Sequence, residues 1–194
     1  MKSEQILSPA APTAEQVAKG RRTLVLLFLV CLAPVLAAYG AFYVWRPSAQ
    51  ASYGKVVSPP VALPVATLKT LDGAPLVEGI RGKWTLAVRA PSACDPACQQ
   101  ELYYTRQIRT ITGANMDRVA RLWVFDDARQ PEAKLLADHP GLLVVSDPAL
   151  ASAVGPAGQI ALIDPRGNLM MRFPENAEPK GIVKDLQKLL KYSR

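Results

Sequence analysis

Two cysteines four positions apart, in Cys94-Asp95-Pro96-Ala97-Cys98, offer the plainest chemistry in this sequence. Asp95 is a good helix N-cap and Pro96 suits the first helical position, so a helix is expected to begin inside the motif. That places Cys94 just before the cap and Cys98 at the third helical position. Cys94 then lies at the positive end of the helix dipole, which favours thiolate, while the charge of Asp95 opposes it. Two sulfurs so placed can close a disulfide if their α-carbons come within about 7 Å. As thiolates they can instead hold Cu(I), a soft ion that selects sulfur. A fixed structural disulfide, or two idle thiols, is the plain alternative. For thiol-disulfide exchange, Cys94 is the expected attacking residue, nearer the helix end and more exposed, and Cys98 resolves the mixed disulfide.

Other residues offer less. His139, the single histidine, lies in Asp138-His139-Pro140-Gly141 and reads as a solvated loop residue. Of Met170 and Met171, adjacent in a strand, at most one can face any site. Three cysteines are too few for a disulfide scaffold, and their spacing lacks a tetrahedral zinc set. There is no Gly-rich phosphate loop, and a Ser/His/Asp set would rest on one loop histidine. The net charge of +7 has no dense basic run with interleaved aromatics, which argues against nucleic acid as a partner.

The chain around the motif divides into four parts. Residues 1–22 form a tail carrying Lys2, Lys19, Arg21 and Arg22 against Glu4 and Glu15. From Thr23 the sequence TLVLLFLVCLAPVLAAYGAFYV has no charged residue, and a transmembrane helix is expected over 23–45. Pro34 is tolerated in such a helix, Cys31 is an apolar filler, and Tyr39, Tyr43 and Trp45 gather at the far boundary. Lys19, Arg21 and Arg22 at the near end predict a cytoplasmic N-terminus, with residues 46–194 exported. A cleaved signal peptide ending near Ala38-Tyr39-Gly40 is the rival, for which the apolar run is too long. Residues 46–63, rich in Pro, Ser and Ala, read as a linker.

Residues 64–194 read as an α/β domain. Val65–Leu71 and Leu76–Val77 flank Asp72-Gly73 as a hairpin. Lys83–Val88 is a strand that runs into the cysteine loop. Cys98, Leu102, Thr105, Ile108 and Ile111 fall on one helical face, closed by Gly113. Arg121–Phe125 and Leu142–Val145 are core strands separated by a short helix over Pro131–Ala137. Gln159–Ile163 and Asn168–Phe173 flank a turn at Asp164–Gly167. Ile182, Val183, Leu186, Leu189 and Leu190 form the stripe of a closing helix. This order implies a mixed sheet with helices on both faces.

Together, the single anchor, Gly82-Lys83-Trp84, Cys94-x-x-x-Cys98 with Glu101-Leu102, the run Ile160–Gly167 and the closing helix resemble the Sco/SenC family over roughly residues 64–192. The resemblance implies a thioredoxin-like fold and a factor for assembly of cytochrome c oxidase. It also implies anchorage in a bacterial inner membrane, with the domain periplasmic and an oxidase subunit or copper-site assembly partner as its target. In that family two cysteines and a histidine before the Ile160–Ile163 segment bind copper. Cys94 and Cys98 carry over as the Cu(I) ligands the resemblance implies. The histidine does not: its place falls at Pro156. The proline that follows the first cysteine is displaced to Pro96, and Gln99 stands where a second proline is usual. The chain thus reads as a divergent relative acting by Cu(I) relay or by thiol-disulfide exchange. The alternative is a non-catalytic thioredoxin-fold module that docks a respiratory-complex subunit. General thioredoxin-type reductases fit less well, having two residues between the cysteines and a cis-proline that Pro156 does not match.

Overall fold

A computed structural model describes residues 14–44 and 52–193, which fall into two compact units divided between Ala49 and Gln50. Lys2, Glu4 and Trp45, named in the sequence reading, lie outside the described residues.

The first unit contains helix α1 (Ala14–Val44). Its stretch Ala18–Tyr43 is long and apolar enough to cross a membrane, at about 1.5 Å per residue against a hydrocarbon core of roughly 30 Å. The helix starts ahead of the apolar run and takes in Lys19, Arg21 and Arg22. Pro34 sits within it, and its large apolar side chains are exposed, as a lipid-facing helix requires. Tyr39 and Tyr43 stack one turn apart at 5.9 Å.

The second unit is built on six strands: β1 (Lys55–Ala62), β2 (Trp84–Arg89), β3 (Val119–Phe125), β4 (Leu142–Ser146), β5 (Ile160–Ile163) and β6 (Asn168–Arg172). They lie in the order β1-β6-β5-β2-β3-β4. β2, β3 and β4 are parallel, while β5 runs antiparallel to β2, β6 to β5 and β1 to β6. Parallel neighbours need crossovers, supplied by α3 (Pro96–Ile111) between β2 and β3 and by α4 (Ala133–Asp138) between β3 and β4. A 3₁₀ turn over Gly113–Arg118 follows α3. The remaining helices are α2 (Leu76–Ile80), α5 (Pro148–Val154) and α6 (Pro179–Tyr192).

Because side chains alternate along a strand, the sheet makes two cores. Leu86, Val88, Val119, Trp123 and Phe125 pack under Leu102 and Ile108 of α3 and Ile182, Leu186 and Leu190 of α6. Ala87, Leu122, Val124, Ala161 and Ile163 pack on the other face with Leu76 and Ile80 of α2 and Leu150 and Val154 of α5. Helices on both faces of a mixed sheet are the architecture the sequence implies.

Four local expectations change. Residues 55–62, read as linker, form edge strand β1 despite Pro59 and Pro60, because an edge strand tolerates missing donors. The hairpin about Asp72-Gly73 shrinks to a single bridge between Lys69 and Pro75, and Leu76–Val77 open α2 instead. Helix α5 carries a legible signal that went unread: Asp147 accepts the Leu150 amide at 2.6 Å, with Pro148 at the first position. Ile111, expected on the buried face of α3, is 55% exposed, whereas Ile108 is fully buried. The turn after β5 is as read: Gly167 has φ +90°, and a Cβ there would lie 2.8 Å from Val65.

β1 is fastened at its start. The Gly54 amide donates to buried Asp185 Oδ2 of α6 at 2.8 Å, and Tyr53 Oη accepts the Glu178 amide at 3.0 Å. Asp185→Ala should therefore leave a buried donor unpaired, at a cost of about 2 kcal/mol. The expected outcome is a melting temperature lower by roughly 5 °C, with faster amide exchange in β1 than in β2 or β3. Equal acceleration in all three strands would contradict the assignment.

Candidate functional site

The strand-to-helix turn after β2 is shaped by four contacts that place the cysteines. The Trp123 indole donates to Ala90 O at 3.1 Å, holding the exit of β2 against β3. Asp127, just past β3, accepts the Ser92 amide at 2.8 Å and the Ser92 hydroxyl at 2.5 Å. Those bonds hold its carboxyl below the usual carboxylate range. The Cys94 amide donates to Pro91 O at 3.0 Å, closing a turn. Asp95 Oδ1 then accepts the Cys98 amide at 2.9 Å, so α3 begins within the motif, with Pro96 in its first turn, as the residue types dictate.

Cys94 and Cys98 are joined as a disulfide, their α-carbons 5.1 Å apart, within the span that such a bond requires. Cys94 has φ +37°, a left-handed conformation that costs a non-glycine residue energy and is held by its surroundings. Its carbonyl accepts from Gln99 Nε2 at 3.1 Å, a fixing role for the residue that stands where the resemblance leads one to expect proline. The expectation that Cys94 is the more exposed sulfur-bearing residue is not met: Cys94 is 2% and Cys98 3% exposed. Both belong to the core beneath α3. Around them in the chain, Pro91, Ala93, Asp95, Pro96 and Ala97 are exposed.

One turn along α3, Glu101 shares a recess with Ala97, Tyr104, Gly158 and Pro174. Partial burial, then the charges of Asp95 and Glu175, push its carboxyl up to about 7. In the sequence, Glu101 enters only with Leu102 as part of the family resemblance, and no chemical role is read for it. The signal lay in its position beside the buried stripe of Cys98 and Leu102, where a helical neighbour three residues on is drawn partly inward.

The structure does not bring a third metal-binding side chain to the cysteines. Among the described residues, no three His, Cys, Asp or Glu side chains are grouped to hold a metal ion. Pro156, at the place the resemblance gives to a histidine, lies ahead of β5, whose Ile160 pairs with Val88 near the cysteine end of β2. His139 instead precedes β4, at the other end of the parallel strands. It is not solvated as expected but 7% exposed, and burial, then Arg121 and Arg106, lower its pKa. Met171 is buried with its sulfur against Gly54 of the β1 side, and Met170 only borders the core. The donor set does not fit a three-ligand copper centre. After reduction it would offer two thiolates.

The raised carboxyl of Glu101 has a thermodynamic consequence. The folded state holds its proton to about pH 7, whereas the unfolded chain releases it near 4.5, the ordinary value for glutamate. Between those values the folded state binds more protons, so this residue makes stability fall as pH rises and level off above about pH 7. Glu101→Gln should flatten that decline and raise stability at pH 8 relative to pH 5. Denaturant midpoints across this range check it; an unchanged slope would refute the assignment.

Comparison with known proteins places this geometry. The solution structure of apo Sco1 from Thermus thermophilus is 19% identical, with a TM-score of 0.56 over 73% of this chain and 99% of that one. Yeast Sco1 with copper bound is 19% identical, with a TM-score of 0.53 over 73% and 90%. A thiol:disulfide interchange protein from Bacteroides sp. is 15% identical, with a TM-score of 0.50 over 70% and 91%. At these identities the likeness is one of fold, and it bears out the thioredoxin-like expectation. No curated protein matches the chain in sequence. The sequence profile described as transmembrane-like, thioredoxin-like, C-terminal domain matches residues 84–193, more than half of the chain. With its disulfide at the capped start of α3 and an apolar helix preceding the domain, the chain belongs to that family.

Proposed function

We propose that the chain is a membrane-tethered thiol-disulfide exchange factor acting through Cys94 and Cys98. The observation that carries this reading is the disulfide itself, closed across the first turn of α3 in the placement that exchange chemistry uses. In the reduced form, the Cys94 thiolate attacks one sulfur of a partner disulfide. A Cys94–partner bond forms and the partner's other sulfur leaves as thiolate. The Cys98 thiolate then attacks the Cys94 sulfur, restoring the internal disulfide and releasing the partner's second thiolate, and both partner thiolates take up protons. The partner gains two electrons, the Cys94–Cys98 pair loses two, and a dithiol donor returns the pair to its reduced form. Access to Cys94 requires the small residues Pro91, Ala93 and Ala97 to yield as a partner docks.

The target we assign is a copper-site cysteine pair in a cytochrome c oxidase subunit or its assembly partner. The support is the sequence resemblance in the cysteine spacing and the Ile160–Gly167 run. Lys19, Arg21 and Arg22 support a cytoplasmic N-terminus and a periplasmic domain on a bacterial inner membrane. Copper enters this reading as cargo: the reduced pair is a two-sulfur donor set suited to Cu(I). A second reading, a docking module with a purely structural disulfide, is favoured by the burial of both cysteines.

The full chain in detergent, on a Cys31→Ser background, separates these readings. When the reduced protein meets a peptide carrying a disulfide-bonded cysteine pair, Cys98→Ser should accumulate a mixed disulfide at Cys94. Cys94→Ser should accumulate at least tenfold less, because its remaining sulfur is the resolving one. No adduct with either variant, and a disulfide inert in glutathione buffers, would leave the docking module. Stoichiometric Cu(I) binding by a reduced chain that forms no adduct would move the assignment to copper relay.

A further inference from the structure

At the end of the parallel strands opposite the cysteines, the core face of β3 carries an arginine. Arg121 shares that face with Val119, Trp123 and Phe125 and is 2% exposed. Its Nη2 donates to Pro140 O at 2.6 Å, while Nε and Nη1 have no hydrogen-bond partner. Arg106 of α3 reaches the same segment, its Nη1 donating to Asp138 O at 2.9 Å. His139 lies between those two carbonyls, and its buried Nδ1 is also unpartnered. Two guanidinium groups therefore converge on three consecutive residues, with three unfilled buried nitrogens among them.

The charges nearby do not balance this cluster. Arg109 adds a third guanidinium, with its Nε on Val119 O and its Nη2 only 4.0 Å from a fully exposed Asp117 carboxylate. Among the described residues, neither Arg121 nor Arg106 is in an ion pair. The Asp138 carboxylate acts on His139 without bonding to it, and Asp72 stands across a neighbouring recess, engaged by the Thr70 hydroxyl. Burial, then Arg109 and Arg106, push the Arg121 guanidinium down to about 10, so it still carries its charge at neutral pH. A buried charge without a counter-charge is costly, and each idle buried donor adds to that cost. A compact anion with several acceptor oxygens removes both costs. His139 and Pro140 also wall a solvent-open recess of about 420 Å³ beside β4.

We propose that Arg121, Arg106 and His139 form a binding site for a phosphate group. One oxyanion supplies acceptors to Arg121 Nε and Nη1 and to His139 Nδ1, with Arg106 closing the outer side. Phosphate chemistry has two sources for a membrane-tethered protein: a soluble phosphate or the headgroup of an anionic lipid. Both meet the same nitrogens.

His139 is the only histidine in the chain, so its imidazole resonance reports on the site without assignment. In the full chain in neutral detergent, added inorganic phosphate should shift that resonance saturably, beyond a chloride control of equal ionic strength. Arg106→Gln, at an exposed helix position that does not threaten folding, should weaken the response about tenfold or more, and Arg121→Gln should abolish it. If free phosphate has no effect but nanodiscs of phosphatidylglycerol shift the resonance relative to phosphatidylcholine, and Arg106→Gln removes the difference, the source is lipid. No saturable response in either arm, or one indifferent to Arg106→Gln, overturns the site.

Discussion

One carboxylate sets the geometry on which the cysteine chemistry depends. Asp95 takes the amide of Cys98, and in doing so fixes where α3 begins, between the two sulfurs rather than before or after them. A start one turn later would leave both cysteines in the loop, and a start before Cys94 would set them at i and i+4 of a regular helix, without the left-handed turn at Cys94 that accompanies the 5.1 Å approach of their α-carbons. The cap in turn needs its loop held, which Asp127 achieves through Ser92 and Trp123 through Ala90. Those partners come from β3 and the segment after it, so the site is assembled by the parallel pairing of β2 with β3.

The same pairing separates two kinds of chemistry along one strand. At its far end β3 leads into the loop that braces the disulfide. At its near end it sets a guanidinium into the core beside His139. The four steps along the strand from Arg121 to Phe125 span about 13 Å. The cysteines are embedded in apolar surroundings with their neighbouring polar groups satisfied, whereas the arginine end keeps unfilled donors. A metal centre uniting the histidine with the cysteines is thereby precluded by topology and not only by residue type.

Much of this was legible because it rests on local rules. The Asp95-Pro96 cap, the short apolar runs of β2 and β3, the stripe of α6 and the glycine turn before β6 are decided within a few residues, and each lies where the sequence puts it. What was not legible depends on partners far away in the chain. Residues 55–62 have weak strand character of their own, and pairing with β6 makes them a strand. His139 sits in a turn-like tetrapeptide, yet neighbours from α3 and β3 bury it. The burial of Cys94 and Cys98 likewise reflects the depth of the core beneath α3, which spacing alone does not encode. The partial burial of Glu101 and the lone arginine of β3 belong to the same class: charged residues whose environment is made by the tertiary fold.

The fastening of β1 to α6 has a mechanical side. Chain arriving from the anchor first meets residues whose amide and ring are clasped by Asp185 and Glu178, at the sheet edge separated from β2 by β6 and β5. A tug along the tether loads that clasp and, past it, peels an edge strand. The loop holding the disulfide is three strands further in, so a pull on the start of β1 would load the edge of the sheet before it.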